Sequence, residues 1–210
     1  MSRSKTHAAE SDWLPFLATW VRSPVKMGAV APSSRTYCRT MVRHATTQLD
    51  GPILELGPGL GVVTRTLLEE GVAPERITSI EYDRDFARKL QQRFPKVNVI
   101  QGDGLDLDKT LGPVADSPKY AAILFAIPIV NMAQAKRQAL FSRYFERLLP
   151  GGNLTQLSYM VTPPVRPVPG VFSVSSSRRV WTNIPPARVW IYARDGEAGA
   201  RPVAGGERAA

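Results

Sequence analysis

A glycine-rich turn between a predicted strand and a predicted helix constrains the fold more than any other feature of this chain. Residues 52–56 form an apolar run typical of a buried strand, and residues 62–70 have a helical pattern. The turn between them, 55–61, has the sequence Glu-Leu-Gly-Pro-Gly-Leu-Gly. Glycines allow a tight turn and a close approach of a ligand to the backbone, and a helix start favours negative charge. The segment therefore predicts a ligand-binding strand–turn–helix unit.

The spacing of the glycines indicates which kind of ligand. A dinucleotide-binding turn would have glycine or alanine at position 62, where this chain has Val62. The spacing here is GxGxG at Gly57, Gly59 and Gly61, with Glu55 two residues before the first glycine. A carboxylate in that place attracts the cationic amino end of a small cofactor.

Two further acids follow the next two predicted strands. Glu81 ends the second strand, where a carboxylate can accept both hydroxyl groups of a ribose. Asp103 follows the third strand, where an acid can accept a hydrogen bond from an adenine amino group. With Glu55, these acids stand in register on three consecutive strands. Together they predict a site for S-adenosylmethionine.

Strands and helices alternate along most of the chain. Alternation of this kind predicts an α/β, Rossmann-like fold with a mostly parallel sheet of seven strands and helices on both faces. Residues 179–182 and 188–193 are predicted to form an antiparallel C-terminal hairpin, and 162–177 a loop rich in proline, serine and valine. Further strands are predicted at 77–81, 97–101, 120–127 and 154–159. Further helices are predicted from after residue 34 to about 48, at 85–94 and at 132–149.

The N-terminal residues form two amphipathic patterns, each with two interpretations. Trp13 and Trp20 lie on one face of a predicted helix at 12–22, which either packs on the core or inserts into a membrane surface. On the next predicted helix, Arg35 and Arg39 belong to a basic stripe with a four-residue spacing. That stripe is either a solvated face or a lipid contact.

We expect three regions along the chain. Residues 1–48, which also include Lys26, form an amphipathic and basic helical segment that binds membranes. Residues 49–194 form the Rossmann-like core, and residues 195–210, rich in glycine and alanine, form a disordered tail.

The amino-acid composition restricts the classes of partner that the protein can bind. The chain has 27 Lys and Arg against 18 Asp and Glu, a net charge of +9, which indicates an anionic partner, either nucleic acid or a membrane surface. One cysteine excludes an internal disulfide framework, and with two histidines we expect no metal site.

The longest apolar run, 120–130, is shorter than the about 20 residues that span a bilayer. Glu10 and Asp12 interrupt the N-terminal basic region, and Arg22 and Lys26 separate the apolar run 13–21 from the apparent cleavage site at 29–31. We therefore expect a cytoplasmic protein without a signal peptide.

With these residues in view, the chain resembles the class I S-adenosylmethionine-dependent methyltransferases. More closely, it is similar to the bacterial phospholipid N-methyltransferases of the soluble, membrane-associating type. The resemblance covers about residues 10–193. It rests on the segments 26–33, 55–64, 79–82, 102–103, 106–113, 127–128, 183–187 and 190–192.

The resemblance implies stepwise methylation of phosphatidylethanolamine toward phosphatidylcholine, with release of S-adenosylhomocysteine at each step. It implies a monomer attached peripherally to the inner face of the cytoplasmic membrane, whose partners are an anionic membrane surface and the lipid. It also adds Tyr82 to the residues expected to bind the cofactor, which are Glu55, Gly57, Gly59, Gly61, Glu81, Tyr82 and Asp103.

The chemistry requires an amine with a free lone pair. No histidine lies near the predicted site, so the commonest general base is missing. The carbonyl groups of Ala126 and Ile127, just past the fourth strand, are expected to orient the amine. Tyr159, past the fifth strand, is expected to accept its proton or to place an aromatic ring against it. Arg178 or Arg179 is expected to hold the lipid phosphate.

A ribosomal RNA adenine dimethyltransferase is the alternative, because such enzymes share this fold and this charge. They need Asn-Leu/Pro-Pro-aromatic after the fourth strand, where the asparagine binds the base and the aromatic ring stacks on it. Residues 125–129 here are Phe-Ala-Ile-Pro-Ile, which lacks both. We therefore expect a lipid substrate and no nucleic acid.

Overall fold

The computed structural model describes residues 35–179 and 188–196, which contain seven strands and five α-helices. The strands are β1 (Ile53–Leu56), β2 (Ile77–Glu81), β3 (Asn98–Gln101), β4 (Tyr120–Phe125), β5 (Leu148–Ser158), β6 (Phe172–Ser176) and β7 (Arg188–Arg194). The helices are α1 (Arg35–His44), α2 (Val62–Glu69), α3 (Arg84–Arg93), α4 (Leu107–Leu111) and α5 (Gln134–Glu146). Short 3₁₀ turns occupy Pro74–Arg76 and Val114–Asp116.

All seven strands belong to one sheet with the order β3-β2-β1-β4-β5-β7-β6. The first five strands pair in parallel, and β7 pairs antiparallel with both β5 and β6. This arrangement confirms the predicted α/β fold with a mostly parallel seven-stranded sheet and antiparallel C-terminal strands. The strand order reverses between β1 and β4, and ligands in open α/β sheets bind at such a switch point, outside the carboxyl ends of the strands.

The two central strands, β1 and β4, explain why the sheet could be predicted from the sequence. Every residue of β4 is buried, because helices cover both faces of a parallel sheet. Such strands are continuous apolar runs rather than alternating ones. The single charged side chain in β1 is Glu55, which is fully buried and belongs to the candidate site.

The strand that pairs with the outer side of β7 lies earlier than predicted, and residues 180–182 of the predicted first strand lie outside the described residues. Phe172–Ser176 pairs with β7, and Arg179, in the predicted strand at 179–182, is not in a strand. The predicted loop at 162–177 therefore contains β6. Alternating apolar and polar residues mark β6: Phe172 is buried, whereas Ser175 is exposed. The surrounding proline and serine residues concealed that period in the sequence.

The predicted boundary between α5 and β5 was also wrong. The helix ends at Glu146 instead of 149, and β5 begins at Leu148 instead of 154. Tyr120 pairs with Leu148 and Ala122 pairs with Asn153, so an irregularity in the pairing accommodates the Pro-Gly-Gly sequence at 150–152. Proline and glycine usually end an element, but here they lie in a bulge.

Helix α1 packs on the core through four buried side chains, Tyr37, Cys38, Met41 and Val42. It lies within residues 1–48, for which the sequence predicts membrane binding. The hydroxyl group of Tyr37 accepts a hydrogen bond from the Ser158 N–H at 2.7 Å and lies 2.9 Å from the carbonyl oxygen of Arg188, to which it donates. One phenol thus joins α1 to the carboxyl end of β5 and the start of β7.

Several predicted features lie outside the described residues. They include the helix at 12–22 with Trp13 and Trp20, the neighbouring Lys26, and the segment 183–187. In the described part of the chain, no helix combines the length and apolar character needed to cross a bilayer.

The buried hydroxyl of Tyr37 gives a test of this packing. Tyr37→Phe leaves the Ser158 N–H and the Arg188 carbonyl without that partner, so the free energy of unfolding in urea should fall by about 1–3 kcal/mol. Tyr82→Phe is the control, because Tyr82 is exposed. Equal stability of the two variants would contradict the role assigned to the Tyr37 hydroxyl.

Candidate cofactor and substrate site

The predicted cofactor residues meet at the carboxyl ends of β1, β2 and β3. These three strands are neighbours and run in parallel, so the loops that follow them share one edge of the sheet. Hydrogen bonds join the ends: the Gly57 N–H donates to the Ile80 carbonyl at 3.0 Å, and the Gly102 N–H donates to the Glu81 carbonyl at 2.9 Å. The sheet thereby holds Glu55, Glu81 and Asp103 in one neighbourhood.

The three glycines of the first turn have different surroundings. A side chain at Gly61 would place its Cβ 2.5 Å from Leu90 and 2.7 Å from Phe94, so this glycine permits α2 to pack closely on α3. At Gly57 a Cβ would lie 2.9 Å from the side chain of Ile127. At Gly59, where φ is +55°, a Cβ would meet no atom within 4 Å. Gly59 therefore borders open space, as a ligand-binding position requires.

Glu81 fixes the shape of this turn. One carboxylate oxygen accepts the Gly59 N–H at 2.9 Å, and the other accepts the Asp83 N–H at 2.9 Å. Burial raises the pKa of Glu81, and these backbone donors oppose that effect. A carboxylate has about four acceptor positions, so two remain for the hydroxyl groups of a ribose.

Glu55 is buried and only partly satisfied. Both Thr64 and Ser79 donate to its Oε2, at 2.6 and 2.7 Å. Its Oε1 is buried with no hydrogen-bond partner in the described structure. Burial raises the pKa of this carboxyl to about 7, against the hydrogen bonds from Thr64 and Ser79. An orphaned, buried carboxylate oxygen requires a donor, and the amino group of S-adenosylmethionine would supply one.

Asp103 completes the row of acids. Its carboxylate accepts the Leu105 N–H at 2.9 Å, and burial raises its pKa. The loop is further fixed by the buried hydroxyl of Tyr144, which donates to the Gly104 carbonyl at 2.7 Å. Tyr82, which follows β2, has an exposed side chain at the same edge. The residues present therefore fit the cofactor that the sequence predicts.

The predicted catalytic residues follow β4 and β5, on the other side of the switch point. The Ala126 N–H donates to the Leu56 carbonyl at 2.9 Å, which holds this backbone beside the glycine-rich turn. The side chain of Ile127 approaches Gly57 and Gly104. The ring of Tyr159 lies 6.3 Å from that of Tyr37. Burial raises the pKa of Tyr159, so at neutral pH this residue offers a ring and a neutral hydroxyl group.

The predicted lipid-contacting arginines lie in two places. Arg39 forms ion pairs with Glu69 and Glu70 at the end of α2, at 3.8 and 3.5 Å, and Arg35 is exposed at the first position of α1. Arg178 and Arg179 are exposed just after β6. Because β6 runs in the same direction as β5, they lie at the carboxyl edge as well.

Sequence reasoning missed the partners of Glu55. Ser79 precedes Glu81 by two residues in β2, so both side chains leave the same face of the strand. Thr64 lies in the first turn of α2, directly behind the glycines. A serine inside a buried strand was the available signal, because a buried hydroxyl group needs a polar partner.

Glu55→Gln should change how stability depends on pH. The raised pKa means that the folded protein holds a proton between pH 4.5 and about 7 that the unfolded chain has lost. Wild-type stability therefore falls as the pH rises through that window. Relative to the wild type, Glu55→Gln should gain about 3 kcal/mol between pH 5 and pH 8, measured by urea unfolding without ligand. A difference that stays constant over this range would rule out the raised pKa.

Gly59→Ala should weaken binding of S-adenosylhomocysteine about tenfold or more, because its methyl group enters the space assigned to the ligand. The matched control is Gly71→Ala, since Gly71 also has a positive φ (+89°) and no atom within 4 Å of a Cβ. Both substitutions should cost about 1–2 kcal/mol of stability through the left-handed backbone. Calorimetric titration separates them, and an equal affinity in the two variants would remove Gly59 from the site.

Comparisons with known proteins agree with this geometry. Residues 33–126 match the model of the ribosomal RNA adenine dimethylase family. The chain is 27% identical to an ornithine lipid N-methyltransferase of Singulisphaera acidiphila over 152 residues, which is 71% of this chain and 79% of that protein. It is 37% identical to ribosomal RNA small subunit methyltransferase A of Chlorobium phaeobacteroides over 83 residues, but these are 40% of this chain and 30% of the relative.

Solved structures share the fold at low sequence identity. Magnesium protoporphyrin IX methyltransferase of Synechocystis, solved with bound S-adenosylmethionine, aligns with a TM-score of 0.60 at 12% identity, covering 90% of this chain and 100% of that one. TrmN of Thermus thermophilus aligns with a TM-score of 0.56 at 15% identity, covering 84% and 52%. These matches show that the chain has the Rossmann-like fold of the class I S-adenosylmethionine-dependent methyltransferases, and the acids and glycines of the site fit that cofactor.

Proposed function

We propose that this methyltransferase methylates the head-group amine of phosphatidylethanolamine and of its mono- and dimethyl derivatives, toward phosphatidylcholine. The ornithine lipid N-methyltransferase supports an aminolipid substrate, because its match extends over 79% of its own length. The match to the ribosomal RNA family ends at residue 126, where β4 has just ended. That match therefore covers the part of the chain with the predicted cofactor residues, from β1 to β4, which we call the cofactor half. It ends before most of the loop after β4, where the part with the predicted substrate contacts, the substrate half, begins.

The packing after β4 is the observation that carries this proposal. A base-binding site would need an asparagine at position 126 and an aromatic ring at position 129. Ala126 has no side-chain donor or acceptor, and Ile129 is 1% exposed and packed into the core. Ile127 fills the space beside Gly57 and Gly104. These residues give a flipped base no side-chain hydrogen bond and no stacking surface, whereas backbone carbonyls suffice to orient an amine.

When bound, S-adenosylmethionine supplies an electrophilic methyl group on a sulfonium centre. On the protein side, Glu55, Glu81 and Asp103 would hold its amino, ribose and adenine groups, in that order. The carbonyls of Ala126 and Ile127 would orient the lipid amine so that its lone pair points at the methyl group.

The amine has to lose a proton before it attacks. His44 contacts the Asn153 end of β5 through its carbonyl group, far from the carboxyl edge, and no other histidine lies in the described residues. With the phenol of Tyr159 protonated at neutral pH, we assign the proton to water rather than to a phenolate. The ring of Tyr159 would then stabilise the positive charge that develops on nitrogen as the new bond forms.

Attachment to a membrane completes the proposal. A lipid substrate requires the enzyme to work at a bilayer surface, and the net charge of +9 favours an anionic one. We assign the first contact to the amphipathic segment that contains Trp13, Trp20 and Lys26. The protein would then be cytoplasmic and bound peripherally to the inner face of the membrane.

One assay decides between the two substrate classes. Purified protein and labelled S-adenosylmethionine are offered phosphatidylethanolamine liposomes, ornithine lipid liposomes and ribosomal RNA in separate reactions. We expect label in mono-, di- and trimethylated phosphatidylethanolamine, and a strong reduction in Gly59→Ala but not in Gly71→Ala. Label in ornithine lipid alone would redirect the proposal within aminolipids, and label in RNA alone would overturn it.

Two substitutions at Tyr159 separate its ring from its hydroxyl group. Tyr159→Phe should keep kcat within about threefold of the wild type, because the ring supplies the stabilisation. Tyr159→Leu should lower kcat about 5- to 10-fold, as expected for the loss of one cation–π contact. Lipid methylation at saturating cofactor measures both. A large fall in Tyr159→Phe with a shifted pH–rate profile would instead make the hydroxyl group the base.

A further inference from the structure

The segment 147–194, which follows α5, contains arginines but no acids. Residues 147–194 include six arginines and no Asp or Glu, although the whole chain has 18 acidic residues. This stretch supplies β5, β6 and β7, the part of the sheet beyond the switch point on the substrate side. Its charge is therefore positive, in contrast to the acidic loops after β2 and β3.

Exposed apolar side chains concentrate at the same edge of the sheet. Five large hydrophobic residues are exposed in the described ranges 35–179 and 188–196, namely Leu60, Tyr82, Val130, Tyr159 and Val161. All five lie in loops that follow parallel strands, so all five are at the carboxyl edge. Three of them are on the substrate side: Val130 is 48%, Tyr159 42% and Val161 70% exposed.

The loops that carry these residues are held together by one guanidinium group. Arg137, in α5, donates to the carbonyls of Met132 and Pro164 at 2.7 Å each, and also to the carbonyl of Val130. The loop after β4 and the loop after β5 are thereby fixed to the same side chain. Val165 belongs to the loop after β5 and is fully buried in the hydrophobic core. Its burial anchors that loop.

We propose that these residues form a second membrane contact, on the catalytic domain itself. We name the surface formed by Val130, Tyr159, Val161, Arg178 and Arg179 the substrate rim. It docks on an anionic, phosphatidylethanolamine-containing bilayer, so that a head group reaches the site without leaving the membrane. This inference rests on the proposed lipid substrate, but it concerns residues distinct from the N-terminal segment.

The composition of the substrate rim matches a lipid surface better than a nucleic acid. Exposed valines gain by entering the boundary between head groups and acyl chains, and they gain nothing from stacked bases. Arginine side chains at the same level bind lipid phosphates by paired, charge-assisted hydrogen bonds. The absence of acids over residues 147–194 removes repulsion from an anionic surface.

A fluorescent label tests the contact directly. Val161→Cys carries an environment-sensitive fluorophore, and Gln92→Cys, on the exposed face of α3, carries the same label as the control. The native Cys38 is buried, and unsubstituted protein measures its background labelling. With vesicles of phosphatidylethanolamine and phosphatidylglycerol, we expect a blue shift and at least a twofold rise in emission at position 161, weakened by salt, and neither at position 92.

A matched pair of double variants tests the energetic role. Val130→Asp/Val161→Asp and Arg88→Gln/Lys89→Gln each lower the net charge by two, but the second pair lies on α3, away from the substrate rim. The first variant should bind anionic vesicles at least tenfold more weakly than the second. Unchanged affinity for S-adenosylhomocysteine in both confirms that the fold is intact.

The outcomes separate this inference from the proposed function. Insertion at position 161 without methylation of any lipid would leave the membrane contact standing and remove the lipid substrate. Lipid methylation with an unresponsive label at position 161, or with equal vesicle binding by the two double variants, would overturn the substrate rim. A label at position 161 that responds to ribosomal RNA but not to vesicles would overturn it in favour of RNA.

Discussion

The carboxylate of Glu81 is the interaction on which the cofactor half depends. Its two oxygens accept N–H groups from the loop after β1 and from the loop after β2, so one side chain sets the distance between them. Because that side chain is buried, each hydrogen bond is stronger than it would be in water, and losing one would leave a backbone donor unsatisfied. The turn that this carboxylate holds has open space beside Gly59. The same acid therefore shapes the site before it binds anything.

Glu55 represents a different use of a buried acid. One of its carboxylate oxygens accepts hydrogen bonds from two hydroxyl groups, and the other accepts none. If Glu55 served the fold alone, this arrangement would lower the stability of the folded protein without a benefit. Replacing it with a hydrophobic residue would remove that cost together with the site. The unsatisfied oxygen is the feature of Glu55 that the amino group of a bound cofactor would satisfy.

Local sequence patterns predicted the strands and turns whose structure depends on neighbouring residues alone. The apolar runs of β1, β2 and β4 and the glycine spacing at 55–61 placed the predicted cofactor residues at one edge of the sheet, because parallel strands align their carboxyl ends. The start of β5 was not predictable in this way, since Pro150 and two glycines normally end an element and their bulge depends on pairing with β4. Strand β6 was missed because proline and serine surround it, and because its register is set by β7, which begins 12 residues after β6 ends. The contact of Tyr37 with Ser158 spans 121 residues, so no local pattern carries it.

The strand order has an evolutionary consequence. The strand order reverses between β1 and β4. The cofactor half therefore comes first in the sequence and the substrate half comes last, and residue 126 lies near the division. A chain divided in this way can diversify its substrate through changes confined to the residues after 126, while the part that would bind the cofactor stays unchanged. Kinship with ribosomal RNA enzymes up to residue 126, beside broader kinship with a lipid enzyme, is the pattern such modular descent would leave.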